Sequence, residues 1–151
     1  LFNYYPEGFL DRVVQGIGMQ ITQPTGITEN VLTARIYANV FRILFNASYL
    51  ERNHSNDVLS ILTKSNYKTG ATAKLPASIT VAHKFGERTS TDSSGNVLVR
   101  QLHDCGIVYA NYGKEPYSFC ILTEGSNFKD LEEIIQDISL EIYKSMTNEL
   151  N

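Results

Sequence analysis

Apolar residues recur about every three to four positions in four stretches of the chain, which is the spacing of one helix face. The first three stretches run through Phe9, Leu10, Val13, Val14 and Ile17, through Ile36, Tyr37, Val40, Phe41, Leu44 and Phe45, and through Val58, Leu59 and Leu62. The fourth closes the chain with Phe128, Leu131, Ile134, Ile135, Ile138, Ile142 and Met146. The apolar face of each helix is expected to be buried. We expect Thr33 to cap the second helix, the third to begin near Ser55, and the last at Ser126 or Asn127.

Between residues 79 and 125 the pattern changes to the alternation that is typical of β-strands. A first strand over residues 79–87 is followed by polar turns and by two further strands, at residues 97–110 and 117–125. Both alternating sets of positions contain apolar residues in those two strands, so both faces of the sheet are expected to be covered. The sequence therefore predicts an α+β fold, in which helices cover an antiparallel meander in a single domain over residues 1–151.

The composition excludes several classes of function. A net charge of −3 at pH 7 provides no electrostatic footprint for nucleic acid. No apolar run is long enough to cross a bilayer, so no membrane segment is predicted in this chain. No glycine motif for phosphate or dinucleotide is present, and no cofactor is expected. The chain opens on Leu1 without a secretory leader, which suggests that an upstream segment is missing.

The two cysteines, Cys105 and Cys120, lie on the second and third predicted strands. If the hairpin between them turns around Tyr112 and Gly113, the two cysteines lie directly opposite each other. A cross-strand disulfide would then be geometrically feasible, and it would indicate an oxidising compartment. The alternative is a pair of buried free thiols that pack as small apolar residues.

Three consecutive segments carry a resemblance to a known family. They are Ile79-Thr-Val-Ala-His-Lys-Phe-Gly-Glu87, Leu102-His-Asp-Cys-Gly-Ile-Val-Tyr109 and Tyr117-Ser-Phe-Cys-Ile-Leu-Thr-Glu-Gly125. Followed by a long amphipathic helix, they resemble the C-terminal part of the penicillin-binding protein and class A β-lactamase superfamily, whose third motif is Lys-Thr/Ser-Gly on a strand. The resemblance implies a three-layer fold that is incomplete at its N-terminus, with two strands and the first helical elements upstream of Leu1.

The chemistry of that superfamily is acyl transfer from a serine nucleophile. The resemblance implies that Lys84 is the motif lysine and that Gly86 lets a substrate lie along the strand. It also implies that the backbone N–H of Glu87 faces the oxyanion. The alternative for Lys84 is an exposed lysine on an edge strand.

The candidate substrate-binding residues are Phe85, His103 and Asp104. Phe85 departs from the motif, because a hydroxyl at that place would bind a substrate carboxylate and phenylalanine cannot. Recognition of penicillin-like molecules is therefore not expected to follow the family pattern.

No well-placed nucleophilic serine precedes these strands, so the chain resembles the back half of a serine hydrolase and is expected to be inactive alone. The resemblance implies a bacterial, extracytoplasmic enzyme that acts on peptidoglycan-like peptide or amide substrates. Its partner would be the missing N-terminal half of the same domain. The alternative is a catalytically silent member of the fold that serves binding or assembly.

Several short strings imitate the family motifs. Lys68-Thr69-Gly70 and the Ser-x-x-Lys string that starts at Ser65 lie around a polar loop, and Ser126 is expected to serve as a helix cap. Class A β-lactamases carry the glutamate that activates the deacylating water in the loop where this chain has Glu29. That loop is short here, so efficient β-lactam hydrolysis is not expected.

His83, His103 and Cys105 suggest a zinc site, because they lie on neighbouring strands. They include no close-spaced pair of ligands on a turn, so no metal is expected. The alternative is a hydrogen-bonded histidine beside Asp104.

Overall fold

The computed structural model describes residues 6–19 and 32–147 of the chain. Within those ranges the elements are α1 (Phe9–Gly16), α2 (Ala34–Asn46), α3 (Arg52–Leu62), β1 (Thr80–Thr91), β2 (Val97–Ala110), β3 (Glu115–Gly125) and α4 (Phe128–Met146). A short 3-10 turn, Asn111–Gly113, joins β2 to β3. The predicted order of three helices, a meander and a terminal helix agrees with this series. Thr33 caps α2 as expected, since its hydroxyl accepts a hydrogen bond from the N–H of Ile36 at 3.3 Å.

The strands form an antiparallel sheet in the order β1-β2-β3. α2 and α3 pack on one face of this sheet, which we call the lobe face. There Phe41 of α2 and Leu59 of α3 are buried against Ala82, Cys105 and Ile107 of the strands. The lobe face is thus covered where the two helices reach it.

The other face, which we call the α4 face, carries the larger cluster of buried residues. Leu102 and Val108 of β2 and Ile121 of β3 pack there with Leu131 and Ile135 of α4. Helices therefore cover both faces of an antiparallel sheet, and the predicted α+β fold class is confirmed.

Three element boundaries differ from the expectation, one of them at β3, which begins at Glu115 and not at residue 117. α3 begins at Arg52 and not near Ser55. The guanidinium of Arg52 donates to the backbone carbonyls of Phe45, at 2.7 Å, and Asn46, at 3.0 Å, at the end of α2. This contact, which depends on the fold, anchors the first turn of α3 to α2. β1 continues to Thr91, because its residues pair with β2 beyond the predicted end of the strand.

The buried face of α4 is rotated from the prediction. Leu131 and Ile135 are buried as expected, but three predicted members of the face are exposed: Ile134, Ile138 and Met146. Ser139 is buried in their stead, because its hydroxyl donates to the carbonyl of Ala71 at 2.8 Å. A polar contact with the loop before β1 therefore helps to set the orientation of the helix.

α1 forms where the apolar spacing predicts a helix, but its expected burial is wrong. None of its residues is buried, and Phe9 and Leu10 are exposed. α1 lies close to the residues that follow α2, since a Cβ atom on Gly16 would be 2.8 Å from the ring of Tyr49. The loop expected at 20–29 lies outside the described residues.

Candidate active site

β1 distributes its side chains between the two faces of the sheet. Because successive residues of a strand point to opposite sides, Lys84 and Gly86 belong to the lobe face with Ala82. Phe85 packs against the cluster of the α4 face, and His83 shares that face. The motif-like segment is therefore split, and the two sets of residues have different surroundings.

Lys84 lies on the lobe face and is exposed. Its ammonium group donates a hydrogen bond to the carbonyl of Phe85 and lies 4.6 Å from the centre of the Phe85 ring. The amine thus turns back over its own strand. β1 is an edge of the described sheet, so this charge stands beside an open sheet margin.

The backbone of β1 directs alternate N–H groups to that margin. The Cα atoms of Cys105 and Cys120 are 4.0 Å apart. This distance is typical of a non-hydrogen-bonded pair in an antiparallel sheet (about 4.5 Å) and not of a hydrogen-bonded pair (about 5.5 Å). Cys105 therefore directs its N–H and C=O towards β1, where it faces Lys84 in the register. The N–H groups of Phe85 and Glu87 consequently point away from β2, to the open edge.

Gly86 leaves room beside this edge. A Cβ atom at Gly86 would meet no atom within 4 Å, whereas one at Gly106 would lie 2.4 Å from the carbonyl oxygen of Ala82. Gly106 faces His83 in the register as a non-hydrogen-bonded pair, in which the two strands approach closely, and this explains the short distance at Gly106. The two glycines thus mark an open and a crowded position of the same pair of strands.

His103 lies opposite Gly86 in the register and is half-buried. Burial lowers the pKa of His103 below its ordinary value of 6.5, and this effect exceeds the opposing effects of the Leu102 backbone and the Glu124 carboxylate. The imidazole is therefore neutral at neutral pH. Its Nδ1 atom is buried and makes no hydrogen bond within the described ranges.

His83 and Asp104 form a buried pair, which agrees with the alternative of a hydrogen-bonded histidine beside Asp104. The His83 Nδ1 atom lies 2.9 Å from Asp104 Oδ1, and the side chains are 1% and 0% exposed. Asp104 Oδ2 accepts a hydrogen bond from the N–H of Ala71 at 3.0 Å. Asp104 was expected to bind substrate, but its carboxylate has no solvent-exposed surface and joins β2 to β1 and to the preceding loop. Polar residues at inward-facing strand positions were the available signal.

Phe85 also faces inwards, on the α4 face. Its ring stacks on Tyr67 with centroids 4.0 Å apart and an interplanar angle of 19°. Burial raises the pKa of Tyr67 to about 12, and the Tyr67 hydroxyl donates to Glu132 of α4 at 3.3 Å. The ring of Phe85 therefore helps to hold the loop before β1 against the sheet and α4.

The two cysteines lie directly opposite each other in the β2–β3 register, and a disulfide joins them on the lobe face. Cys105 is thus not a free metal ligand, and His83 and His103 lie on opposite faces of the sheet. In the part of the chain that the structure describes, no three His, Cys, Asp or Glu side chains come together to hold a metal ion.

The strings that imitate family motifs lie in the loop before β1 and at the start of α4. The Ser65 hydroxyl accepts a hydrogen bond from the Tyr67 N–H at 3.3 Å in the loop before β1. Asn127, rather than Ser126, caps α4 by accepting from the N–H of Asp130 at 2.9 Å. Glu29 lies outside the described residues. Among residues 6–19 and 32–147, no helix is long and apolar enough to span a membrane.

Solved structures share this fold. A class A β-lactamase from Bacteroides cellulosilyticus DSM 14838 superposes with a TM-score of 0.74 at 18% identity, over 92% of this chain and 53% of its own. A β-lactamase from Chitinophaga pinensis DSM 2588 superposes with a TM-score of 0.73 at 17% identity, over 91% of this chain and 54% of its own. PBP-A superposes with a TM-score of 0.69 at 20% identity, over 92% of this chain and 51% of its own. The chain spans about half the length of these structures. No curated protein matches it.

Identities at this level show the fold alone. The family model described as the β-lactamase enzyme family, however, matches residues 8–146, which is nearly the whole chain. The chain therefore belongs to the β-lactamase enzyme family.

Proposed function

We propose that this chain supplies the substrate-holding strand of a serine acyl-transfer enzyme that acts on peptidoglycan-like peptide or amide bonds. The observation that carries the proposal is the open edge of β1, where the outward N–H of Glu87 follows Lys84 and the unobstructed Gly86. An extended peptide can add to such an edge through backbone hydrogen bonds. The Glu87 N–H is then one donor to the oxyanion that forms during acyl transfer.

Lys84 provides positive charge beside that edge. Within the described residues its exposed ammonium contacts a backbone carbonyl and the face of Phe85, so it can turn to a bound carbonyl or carboxylate. His103, neutral at neutral pH, adds no competing positive charge beneath Gly86. The lysine is therefore the source of electrostatic stabilisation in this half of the site.

The substrate is bound without the hydroxyl that the family motif places after the lysine. Phe85 points to the other face and packs on Tyr67, so it serves the strand and not the ligand. Asp104 acts in the same indirect way, since it is buried beneath β1. Recognition therefore rests on the backbone of β1 and the Lys84 charge, which favours extended peptides over penicillin-like carboxylates.

The serine nucleophile comes from a second half of the same domain. The chain spans about half the length of similar solved structures, and β3 is an unpaired edge in the described part of the sheet. The exposed Ile134 and Ile138 of α4 offer an apolar surface to that half. The disulfide supports an extracytoplasmic, oxidising location.

The test compares this chain with a longer product that includes upstream residues, using a fluorescent penicillin and a fluorophosphonate probe. We expect the longer product to be labelled covalently and the 151-residue chain to remain unlabelled. Lys84→Met should slow labelling about 100-fold, in the range measured for loss of one oxyanion-stabilising group. Lys64→Met, at an exposed lysine just after α3, is the matched control and should label normally.

Failure of the longer, folded product to react with either probe would contradict the proposal. It would favour the alternative in which the fold is catalytically silent and serves binding or assembly. Equal labelling of the Lys84→Met and Lys64→Met variants would remove Lys84 from the site.

A further inference from the structure

A cavity of about 710 Å³ opens at the start of β1, where Thr80 forms part of its wall. Its walls come from α3, the start of β1, the turn between β2 and β3, and Tyr143 of α4. This volume falls within the range of small-molecule sites, about 300–1,000 Å³. None of Lys84, Gly86 and Glu87 lines it, so the cavity is separate from the proposed acyl-transfer site.

The wall of this cavity carries no charged side chain. Its polar groups are amides and hydroxyls, and they include those of Asn56, Ser60, Thr63, Ser78, Thr80 and Asn111. The side chains of Asn56, Ser78, Thr80 and Asn111 make no hydrogen bond within the described residues, so their donors and acceptors are available to a ligand. A phosphorylated or carboxylated ligand would need a cationic partner, which this wall lacks.

Tyrosine rings, together with Leu59 and Ile79, provide the apolar part of the wall. Tyr112 is 99% exposed at the rim, and Tyr109 and Tyr143 lie deeper. The backbone holds Tyr112 outwards, because φ is 47° at Asn111, 55° at Tyr112 and 81° at Gly113, all in the left-handed region. No packing within the described residues accounts for a tyrosine so fully exposed, and a ring in that place is suited to stacking on a ligand.

We propose that this cavity binds an uncharged oligosaccharide rich in N-acetyl groups. Sugar hydroxyls and acetamido groups match the free amides and hydroxyls of the wall, and the C–H faces of sugar rings pack on tyrosine. The start of β1 forms part of the wall, so the glycan lies at the first residues of the strand that also carries Lys84. The site is independent of the acyl-transfer chemistry.

The test is calorimetric titration of the 151-residue chain with tetra-N-acetylchitotetraose, followed by amide NMR shifts to locate the site. We expect binding in the millimolar range or tighter, with shifts at α3 and at the β2–β3 turn. Tyr112→Ala should weaken binding about tenfold, as expected for the loss of one aromatic contact, whereas Tyr112→Phe should bind like wild type. Asn56→Ala should also weaken binding.

Each variant has a matched control. Tyr49→Ala removes an exposed tyrosine outside the cavity, and Asn53→Ala removes an exposed amide from the same helix as Asn56. Both should bind the oligosaccharide like wild type. Lys84→Met should also bind it normally, so a failure of the acyl-transfer proposal leaves this test unaffected.

Three results would overturn the inference. The first is the absence of heat and of amide shifts on titration with the oligosaccharide. The second is equal binding by Tyr112→Ala, Asn56→Ala and their controls. The third is binding of an uncharged peptide, N-acetyl-triglycine amide, at the same residues without binding of the oligosaccharide.

Discussion

The two sides of β1 differ sharply although they alternate along one strand. On the α4 face, His83 and Phe85 are bonded or stacked to Asp104 and Tyr67, which tie the strand to β2 and to the preceding loop. On the lobe face, Lys84 and Gly86 are exposed. Over residues 83–86, one side of the strand is thus closed by its own chain, while the other is open.

This difference indicates how the strand is built for recognition. A binding edge has to be rigid before it can orient a ligand, and rigidity comes from groups behind it. The closed side holds the backbone in place, the open side carries the Lys84 amine, and the edge of the strand presents the backbone amides. Four predictions test this division, in order of decreasing effect on stability.

Asp104→Asn should have the largest effect, because it leaves His83 and the Ala71 N–H with a weakened partner in a buried place. We expect a loss of about 4 kcal/mol in the free energy of unfolding, measured with urea. The control is Asp137→Asn, which breaks an exposed ion pair with Lys74 and should change stability by less than about 1 kcal/mol. Equal effects of the two substitutions would show that the closed side is not what stabilises β1.

Reduction of the Cys105–Cys120 disulfide should come next. The cysteines are 15 residues apart, and closing a loop of that size contributes about 3 kcal/mol. Urea unfolding with and without dithiothreitol measures this difference. The Cys105→Ala/Cys120→Ala double variant should show no dependence on dithiothreitol, and an unchanged midpoint for reduced wild type would contradict the prediction.

Gly106→Ala in β2 and Gly86→Ala in β1 form a matched pair of substitutions, one at a crowded and one at an open position. We expect Gly106→Ala to lose about 2 kcal/mol, because its Cβ would overlap the Ala82 carbonyl oxygen. Gly86→Ala should stay within about 0.5 kcal/mol of wild type, since its Cβ enters open space. Thermal unfolding of both variants measures the contrast, and a reversed order would break the comparison of the two sides.

His103 should give the smallest effect, and it depends on pH. The pKa of His103 in the folded chain lies below 6.5, which is the ordinary value that applies to the unfolded chain. At a pH between these two pKa values, the unfolded chain binds a proton that the folded chain does not. Stability from His103 is therefore present above about pH 6.5 and declines as the pH falls below it. His103→Gln should flatten this decline in urea unfolding at about pH 7 and about pH 5, and NMR titration should place the His103 midpoint below 6.5.

The meander and the facing of the two cysteines could be predicted because both depend on local signals. Alternation identifies the strands, and the turn around Tyr112 and Gly113 determines which residues face each other. The resemblance of the β1 segment led to the correct family for the same reason, since its residues are contiguous. These features require no knowledge of how distant parts of the chain meet.

The missed features all depend on contacts between distant parts of the chain. The first turn of α3 is anchored by Arg52, which reaches carbonyls of α2, and α4 is rotated so that Ser139 can meet Ala71. The His83–Asp104 pair joins residues 21 positions apart, and its closeness follows only from the strand register. The inward-facing position of Asp104 on β2 indicated burial, but its bond to His83 could not be read from its neighbours in sequence.

The covalent link between Cys105 and Cys120 has a consequence for the integrity of the meander. A slide of β3 by one residue would move Phe119 and Ile121 from the α4 face to the lobe face and place Ser118 and Cys120 on the α4 face instead. The bonded sulfur atoms forbid that slide, because only one alignment keeps the two cysteines face to face. An oxidising environment therefore protects this hairpin against misalignment as well as against unfolding.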